Sequence, residues 1–259
     1  MSNPPRPEPL DLQGQRKLAN ALGDTPETVI SVHLLRRGLC RAYVAGNLED
    51  FDVALVQATE DPGEPTAFGE DARALWSLLL RPVESWWCVN VPASVAPDLG
   101  RLIESELRKS VRLYGDIYNT LTSPTPLVEN SAVRFLTPED SPLVEAAPAD
   151  VRGTGFENPR ALLSEGIVAG AIISGKLTAI AFTSALTGRH ADISVATLEG
   201  WRGKGLATAA ASLVVRRVRD SGRVPVWSAG EDNLASLRVA YKLGFEEQFR
   251  RMYVIPAPG

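Results

Sequence analysis

Two periods of apolar residues alternate along the chain. Helical spacing, with apolar positions three and four apart, marks residues 11–22, 25–37, 71–80 and 97–109. In the last of these, Leu99, Leu102, Ile103 and Leu107 form one face. Thr25 is placed as a helix N-cap, Pro26 as the first helical residue and Gly38 as a stop. Short apolar runs suited to strands fall at 40–46, 52–58, 86–91 and 111–121. Residues 59–71, with Pro62, Gly63, Pro65 and Gly69, read as a polar loop. Trp86 and Trp87 sit in the strand at 86–91, so one ring faces inward and the other outward.

Thr122 to Pro126 then interrupts the pattern with two prolines and three hydroxyl residues, an extended linker. The pattern restarts with a strand at 132–136 and short helices near 142–151 and 158–164. Strands at 167–174 and 177–185 flank Gly175-Lys176, a hairpin signal. A strand at 191–198, a helix at 205–220 stopped by Gly222, a strand at 224–229, a helix at 233–243 and a long strand at 245–256 complete it. The first half shows a weaker form of the same order of elements. This predicts a mixed α/β chain built as a tandem of two similar folds, spanning 10–125 and 126–259. Residues 1–9 carry four prolines and are expected to be disordered.

Composition narrows the classes. A chain of 259 residues, 44% hydrophobic, can bury a sizeable core without disulfides or a structural metal. Net charge is −4, which argues against a general nucleic-acid binder. Cys40 and Cys88 form no CxxC and read as two buried thiols. With so few cysteines, His33 and His190 cannot supply a standard zinc site, so no metal is expected. His190, after Gly188-Arg189, reads as a surface residue of a turn. No apolar run is long enough for a membrane span, and the N-terminus lacks the apolar region of a signal peptide. The expected address is cytoplasmic, and the expected state is a monomer or homodimer.

The segment from Thr197 to Thr208 carries the chemistry. A strand ends, Gly200, Gly203 and Gly205 allow a tight turn, and a helix begins. Backbone N–H groups of such a turn converge with the helix dipole on a phosphate or pyrophosphate, and Arg202 and Lys204 add positive charge. Taken alone, the segment is equally a glycine-rich bend with two solvated cations. G-x-x-x-x-G-K-[ST] is absent, and 203–208 is G-x-G-x-x-T, a poor dinucleotide fingerprint.

Arg202-Gly-Lys-Gly205-Leu-Ala207 resembles the R/Q-x-x-G-x-G/A motif of the GNAT superfamily, the acyl-CoA-dependent N-acyltransferases. Asn233-Leu-Ala-Ser236, continuing to Lys242-Leu-Gly-Phe245, resembles the family's N-x-x-S/A helix and K-L-G-F end. The resemblance covers about 132–259. It implies a mixed sheet whose central strands splay, with acetyl-CoA as co-substrate and an amine acceptor, a small molecule or peptide. It implies that Val195, Ala196, Thr197 and Leu198 form the edge that pairs with pantetheine. It implies that Arg202, Gly203, Lys204, Gly205, Leu206, Ala207 and Thr208 cradle the pyrophosphate, and that Asn233 and Ser236 contact the cofactor or hold the splay. Asn233 is equally a plain helix N-cap. In the first half, Glu60, Asp61, Glu64, Glu70 and Asp71 fill the expected place of the loop and would repel a pyrophosphate, so that half reads as a degenerate copy.

For catalysis, Asp192 and Glu199 are the leading candidates for the general base, with Ser194 and Glu231 nearby. The family's general-acid tyrosine falls at Ala240 here. Tyr241 is the remaining candidate, but a shift of one residue turns it about 100° away. The reading is an N-acetyltransferase acting by direct transfer. The alternative is a non-catalytic acyl-CoA-binding or sensor module of the same fold.

Overall fold

The computed structural model describes residues 8–80 and 86–258, so residues 1–7 of the proline-rich start lie outside the described residues. The elements in chain order are α1 (Leu12–Leu22), α2 (Val29–Arg37), β1 (Cys40–Gly46), β2 (Phe51–Ala58), β3 (Thr66–Gly69), α3 (Ala72–Leu80), β4 (Val89–Pro92), α4 (Ala96–Leu107) and β5 (Val111–Thr120). There follow β6 (Val133–Phe135), α5 (Ser141–Glu145), α6 (Pro159–Glu165), β7 (Val168–Ile173), β8 (Lys176–Leu186), β9 (His190–Thr197), α7 (Leu206–Asp220), β10 (Val224–Gly230), α8 (Leu234–Lys242) and β11 (Glu246–Pro256). A 3₁₀ turn at Ala149–Val151 replaces the end of the helix expected at 142–151, and Glu199–Trp201 forms another. Among the described residues no helix is long and apolar enough to cross a membrane.

The chain divides into two compact units, and neither is one continuous stretch. The first takes the described residues up to Gly23, Ser31–Ile117 and Arg250 onward; the second takes Asp24–Ile30 and Tyr118–Phe249. Strands β5 and β11 each begin in one unit and end in the other.

In the first unit the strands run in the order β1, β2, β3, β4, β11, β5. Strand alternation sends Val53 and Leu55 to a core with Leu75, Leu79, Leu99 and Ile103 of α3 and α4. It sends Ala54 and Val56 to a second core with Leu18, Val32 and Leu35 of α1 and α2. Strand β3 falls in the segment expected to be a loop. Its four residues, Thr66–Gly69, are too few to show a period, and it exists through its ladder with β2. The expected strand at 86–91 starts only at Val89. The amides of Trp87 and Cys88 both donate to the carbonyl of Gly63, which draws this stretch off the ladder. Trp86 packs edge-on against Trp76, while the Trp87 ring is exposed. Cys40 and Cys88 are buried, and neither forms a disulfide; burial pushes each thiol up to about 12.

A buried polar cluster ties this sheet together. Arg251 on β11 is 1% exposed. Its Nε donates to Asn90 Oδ1 at 2.5 Å, and Nη2 donates to the carbonyl of Ala67 at 2.5 Å and to that of Asn90 at 3.3 Å. Asn90 in turn donates to Asp116 of β5 at 2.8 Å. Burying a guanidinium is tolerable only with such a set of acceptors.

In the second unit the order is β6, β7, β8, β9, β10, then the end of β5. β7 and β8 form the expected hairpin, turned by Ser174 and Gly175, both at positive φ. One face carries Ile180, Phe182 and Ala196 against Leu162 and Leu163 of α6 and Val144 of α5. The other carries Ala171 and Ala179 against Leu206 of α7. Asp24 joins this unit through its carboxylate, which accepts from Thr187 Oγ1 at 2.7 Å and from the Arg189 amide at 3.0 Å, and pairs with His190 Nδ1 at 2.7 Å. His190 is therefore not a surface residue: it is 6% exposed at the head of β9, held by a carboxylate far away in sequence.

Burial alone would raise the Asp24 carboxyl, but hydrogen bonds from His190, Thr187 and the Arg189 amide outweigh it and hold the group below its ordinary value. A carboxylate lowered in the folded state adds stability above its unfolded pKa and loses it as pH falls through the folded value. Asp24→Asn is therefore expected to destabilise the protein by about 1–3 kcal/mol at pH 7. The gap from wild type should close as pH falls below about 4. Urea titrations across that range check it; a gap that does not change with pH would show that the carboxylate's charge plays no part.

Candidate functional site

β9 and β10 run parallel, but only briefly. Val224 pairs with His190, Pro225 with Ala191 and Val226 with Asp192, and the pairing stops there. Beyond Asp192 the two strands part. On its other edge β9 stays paired with β8 as far as Thr197, and Leu198 N–H still donates to the Thr178 carbonyl at 3.0 Å. Antiparallel bonding alternates by residue, so Ser194, Ala196 and Leu198 spend their backbone groups on β8. Val195 and Thr197 direct theirs into the gap. Of the expected edge, Val195 and Thr197 therefore present the backbone.

The strand then turns into α7. Gly203 and Gly205 both have φ of +75°, a region that costs other residues roughly 1–2 kcal/mol. A Cβ built on Gly200, Gly203 or Gly205 meets nothing within 4 Å, so the space over the turn is open. Gly205 is the N-cap of α7, and no side chain caps that helix. Its first N–H groups, which have no partner within the helix, are left facing that space with the positive end of the dipole. Lys204 Nζ lies 4.3 Å from the centre of the Trp201 ring. Arg202 Nε donates to the Thr197 carbonyl at 3.3 Å.

These elements enclose a cleft of about 600 Å³. Of the residues expected to hold the cofactor, Val195 to Thr197, Arg202 to Thr208, Asn233 and Ser236 line it. Leu198 does not; it packs into the core under α5 and α6. Asn233 is the N-cap of α8, its Oδ1 accepting from the Ser236 amide at 3.2 Å. Ser236 Oγ accepts from Trp227 Nε1 at 2.9 Å, which fixes the start of α8 over β10.

The three catalytic candidates stand apart from the cleft lining. Glu199 is exposed in its 3₁₀ turn. Tyr241 is 47% exposed, while Ala240, at the family's tyrosine position, is fully buried. Asp192 is buried at the point where β9 and β10 part, with Ser184 Oγ at 2.5 Å from its Oδ2. Asp150, Arg238 and Lys242 also line the cleft, and none of them belongs to the sequence motifs' expected contacts. The spacing of Arg238 and Lys242, one helical turn apart after Asn233, was a usable signal. Asp150, in a 3₁₀ turn, had none.

The corresponding turn of the first unit differs in two ways. It lies after β3, at Glu70-Asp71, rather than across the whole acidic segment. There Asp71 Oδ1 accepts from the amides of Arg73 at 2.9 Å and Ala74 at 3.0 Å, occupying the donors that α7 leaves open. The parallel pair β3 and β4 meets only at Thr66 and Asn90, and Arg251 bridges the Ala67 and Asn90 carbonyls.

Comparison with known proteins bears on the fold. No curated protein matches the chain in sequence. A GCN5-related N-acetyltransferase-like protein from Streptococcus suis 89/1591 is similar in structure at a TM-score of 0.65 and 22% identity, covering 95% of this chain and 99% of its own. A GCN5-related N-acetyltransferase from Kribbella flavida gives 0.63 at 16% identity, covering 90% and 95%. A tandem GNAT protein from the clavulanic acid biosynthesis pathway gives 0.57 at 15%, covering 97% and 98%. At these identities the likeness is one of fold, and it is the mixed α/β GNAT-like fold, tandem forms included. The family model for GNAT acetyltransferases matches residues 149–254, the segment that holds the glycine turn, the parted strands and the Asn233 helix.

Proposed function

We propose that the cleft of the second unit binds acetyl-CoA and that the protein transfers the acetyl group to the primary amine of a small-molecule or peptide acceptor. The observation that carries this reading is the uncapped first turn of α7, opening between two positive-φ glycines into a cleft lined by Arg202, Lys204, Arg238 and Lys242. Such a site suits a pyrophosphate and a further phosphate. Bound there, the thioester supplies an activated acetyl group. The backbone of Val195 and Thr197 is suited to orient an amide-bearing arm as an added strand. The attacking amine must lose a proton, directly or through water. Asp192, at the root of the parted strands, is the carboxylate best placed for that role.

A second reading, an acyl-CoA-binding module without turnover, draws support from one observation: none of Asp192, Glu199 and Tyr241 lines the cleft. Free-thiol release from acetyl-CoA across a panel of amines separates the two. Release that depends on an amine supports the transferase. Tight binding with no release above hydrolysis supports the module.

Four outcomes are expected. Calorimetry on the full chain should find one CoA site, because Asp71 and Arg251 occupy the counterpart of that site in the first unit; two equivalent sites would refute this. Gly205→Glu should weaken CoA at least about tenfold, since the new side chain enters the space over the turn and its charge opposes the pyrophosphate; the positive φ adds a strain of roughly 1–2 kcal/mol, which the fold tolerates. Arg238→Gln with Lys242→Gln should weaken CoA more than dephospho-CoA; equal losses would place these cations away from the additional phosphate. Tyr241→Phe should reduce turnover by far less than the ~10²–10⁴ of a lost general acid, and a full loss with CoA affinity unchanged would put its hydroxyl at the sulfur.

A further inference from the structure

The charged residues lining the cleft of the second unit are four cations and one carboxylate, Asp150. A carboxylate there opposes the phosphates that the cations attract, so its presence calls for a separate role. Among the described residues nothing pairs with it: no hydrogen bond or ion pair holds its carboxylate. Its side chain is exposed, but the backbone that carries it is fixed. The 3₁₀ turn that carries it packs on β8 and β9. Val151, the next residue, is fully buried in the core with Ile180, Phe182 and Ala196. The chain beyond is pinned by Gly153 and Gly155, both at positive φ. A Cβ on Gly155 would stand 1.8 Å from the Ser184 carbonyl, so no bulkier residue lets this turn sit so close to β8. Asp150 is thus held against the α5 and α6 side of β9, at the cleft, by its neighbours' packing.

Its position separates it from the proton-removal step. It shares the lining with Val195 to Thr197, not with Asp192. Those residues lie roughly 10–16 Å further along the strand. A second carboxylate paired with the reacting nitrogen would favour its ammonium form and oppose the proton removal proposed for Asp192. A carboxylate at a distance from the reacting point can bind a different cation without that penalty.

Resting on the acetyl-CoA reading above, we infer that Asp150 anchors a second cationic group of the acceptor, several bonds from the amine that is acetylated. The substrate class is then a polycationic amine rather than a monoamine or a neutral amino compound.

Bisubstrate probes test this whatever the acceptor's identity. CoA is alkylated on sulfur to give an acetamide whose nitrogen carries a tail of four, seven or ten chain atoms ending in ammonium. Each probe is matched by a twin ending in hydroxyl. Calorimetry at low salt compares wild type with Asp150→Asn, and CoA alone serves as the reference. Wild type is expected to favour one ammonium-ended length by about fivefold over its twin, the upper range for a solvent-exposed ion pair. Asp150→Asn should lose that preference while binding CoA alone as well as or slightly better than wild type. No preference at any length in wild type, or a preference that survives in Asp150→Asn, overturns the assignment. Failure of CoA alone to bind wild type overturns the acetyl-CoA reading itself, and this inference with it.

Discussion

The parting of β9 and β10 after Asp192 and Val226 is the constraint on which the second unit turns. Two parallel strands that stop pairing inside a sheet leave backbone donors and acceptors without partners, and a buried peptide group in that state is costly. The unit meets this by keeping the gap half open to solvent, from Ser194 to Thr197. A ligand with its own amides can then complete the ladder. The glycine turn follows directly, so the same strand that offers an edge to one part of a ligand delivers its charged part to the start of α7.

Comparing each unit's turn on its own terms shows how little separates a cradle from a closed turn. In the second unit Gly205 caps α7 with backbone alone. In the first, Asp71 caps α3 with its carboxylate and satisfies the same class of amide. One side chain at an N-cap stabilises a helix by about 1 kcal/mol and removes an anion site in the same stroke. Arg251 does the equivalent for the strand gap, supplying donors to carbonyls that would otherwise wait for a ligand.

Much of the second unit was legible because its signals are local. Gly203 and Gly205 announce a turn by their own conformational freedom, Asn233 announces a helix start, and the 167–185 hairpin shows in a run of apolar residues around Gly175. What stayed hidden depends on partners distant in the chain. β3 is four residues that become a strand only beside β2. His190 looks like a turn residue until Asp24 reaches it from far away in the sequence. Asp150 gains its place from the burial of Val151 and the close approach at Gly155, neither of which has a local signature. Tyr241 is the opposite case: its register on α8 was readable from spacing, and the side chain points to solvent.

The allocation of chain to the two units has a consequence for synthesis. The first unit contains Arg250 onward, including the Arg251 guanidinium that ties Asn90 and Ala67. A ribosome releases those residues after the whole of the second unit, so the unit encoded first cannot close until they emerge. Its parted strands must wait through translation of the second unit, exposed to aggregation or to a chaperone. A nonsense mutation at the codon for Arg250 would then damage the amino-terminal unit, leaving intact the sequence of the glycine cradle upstream of the stop.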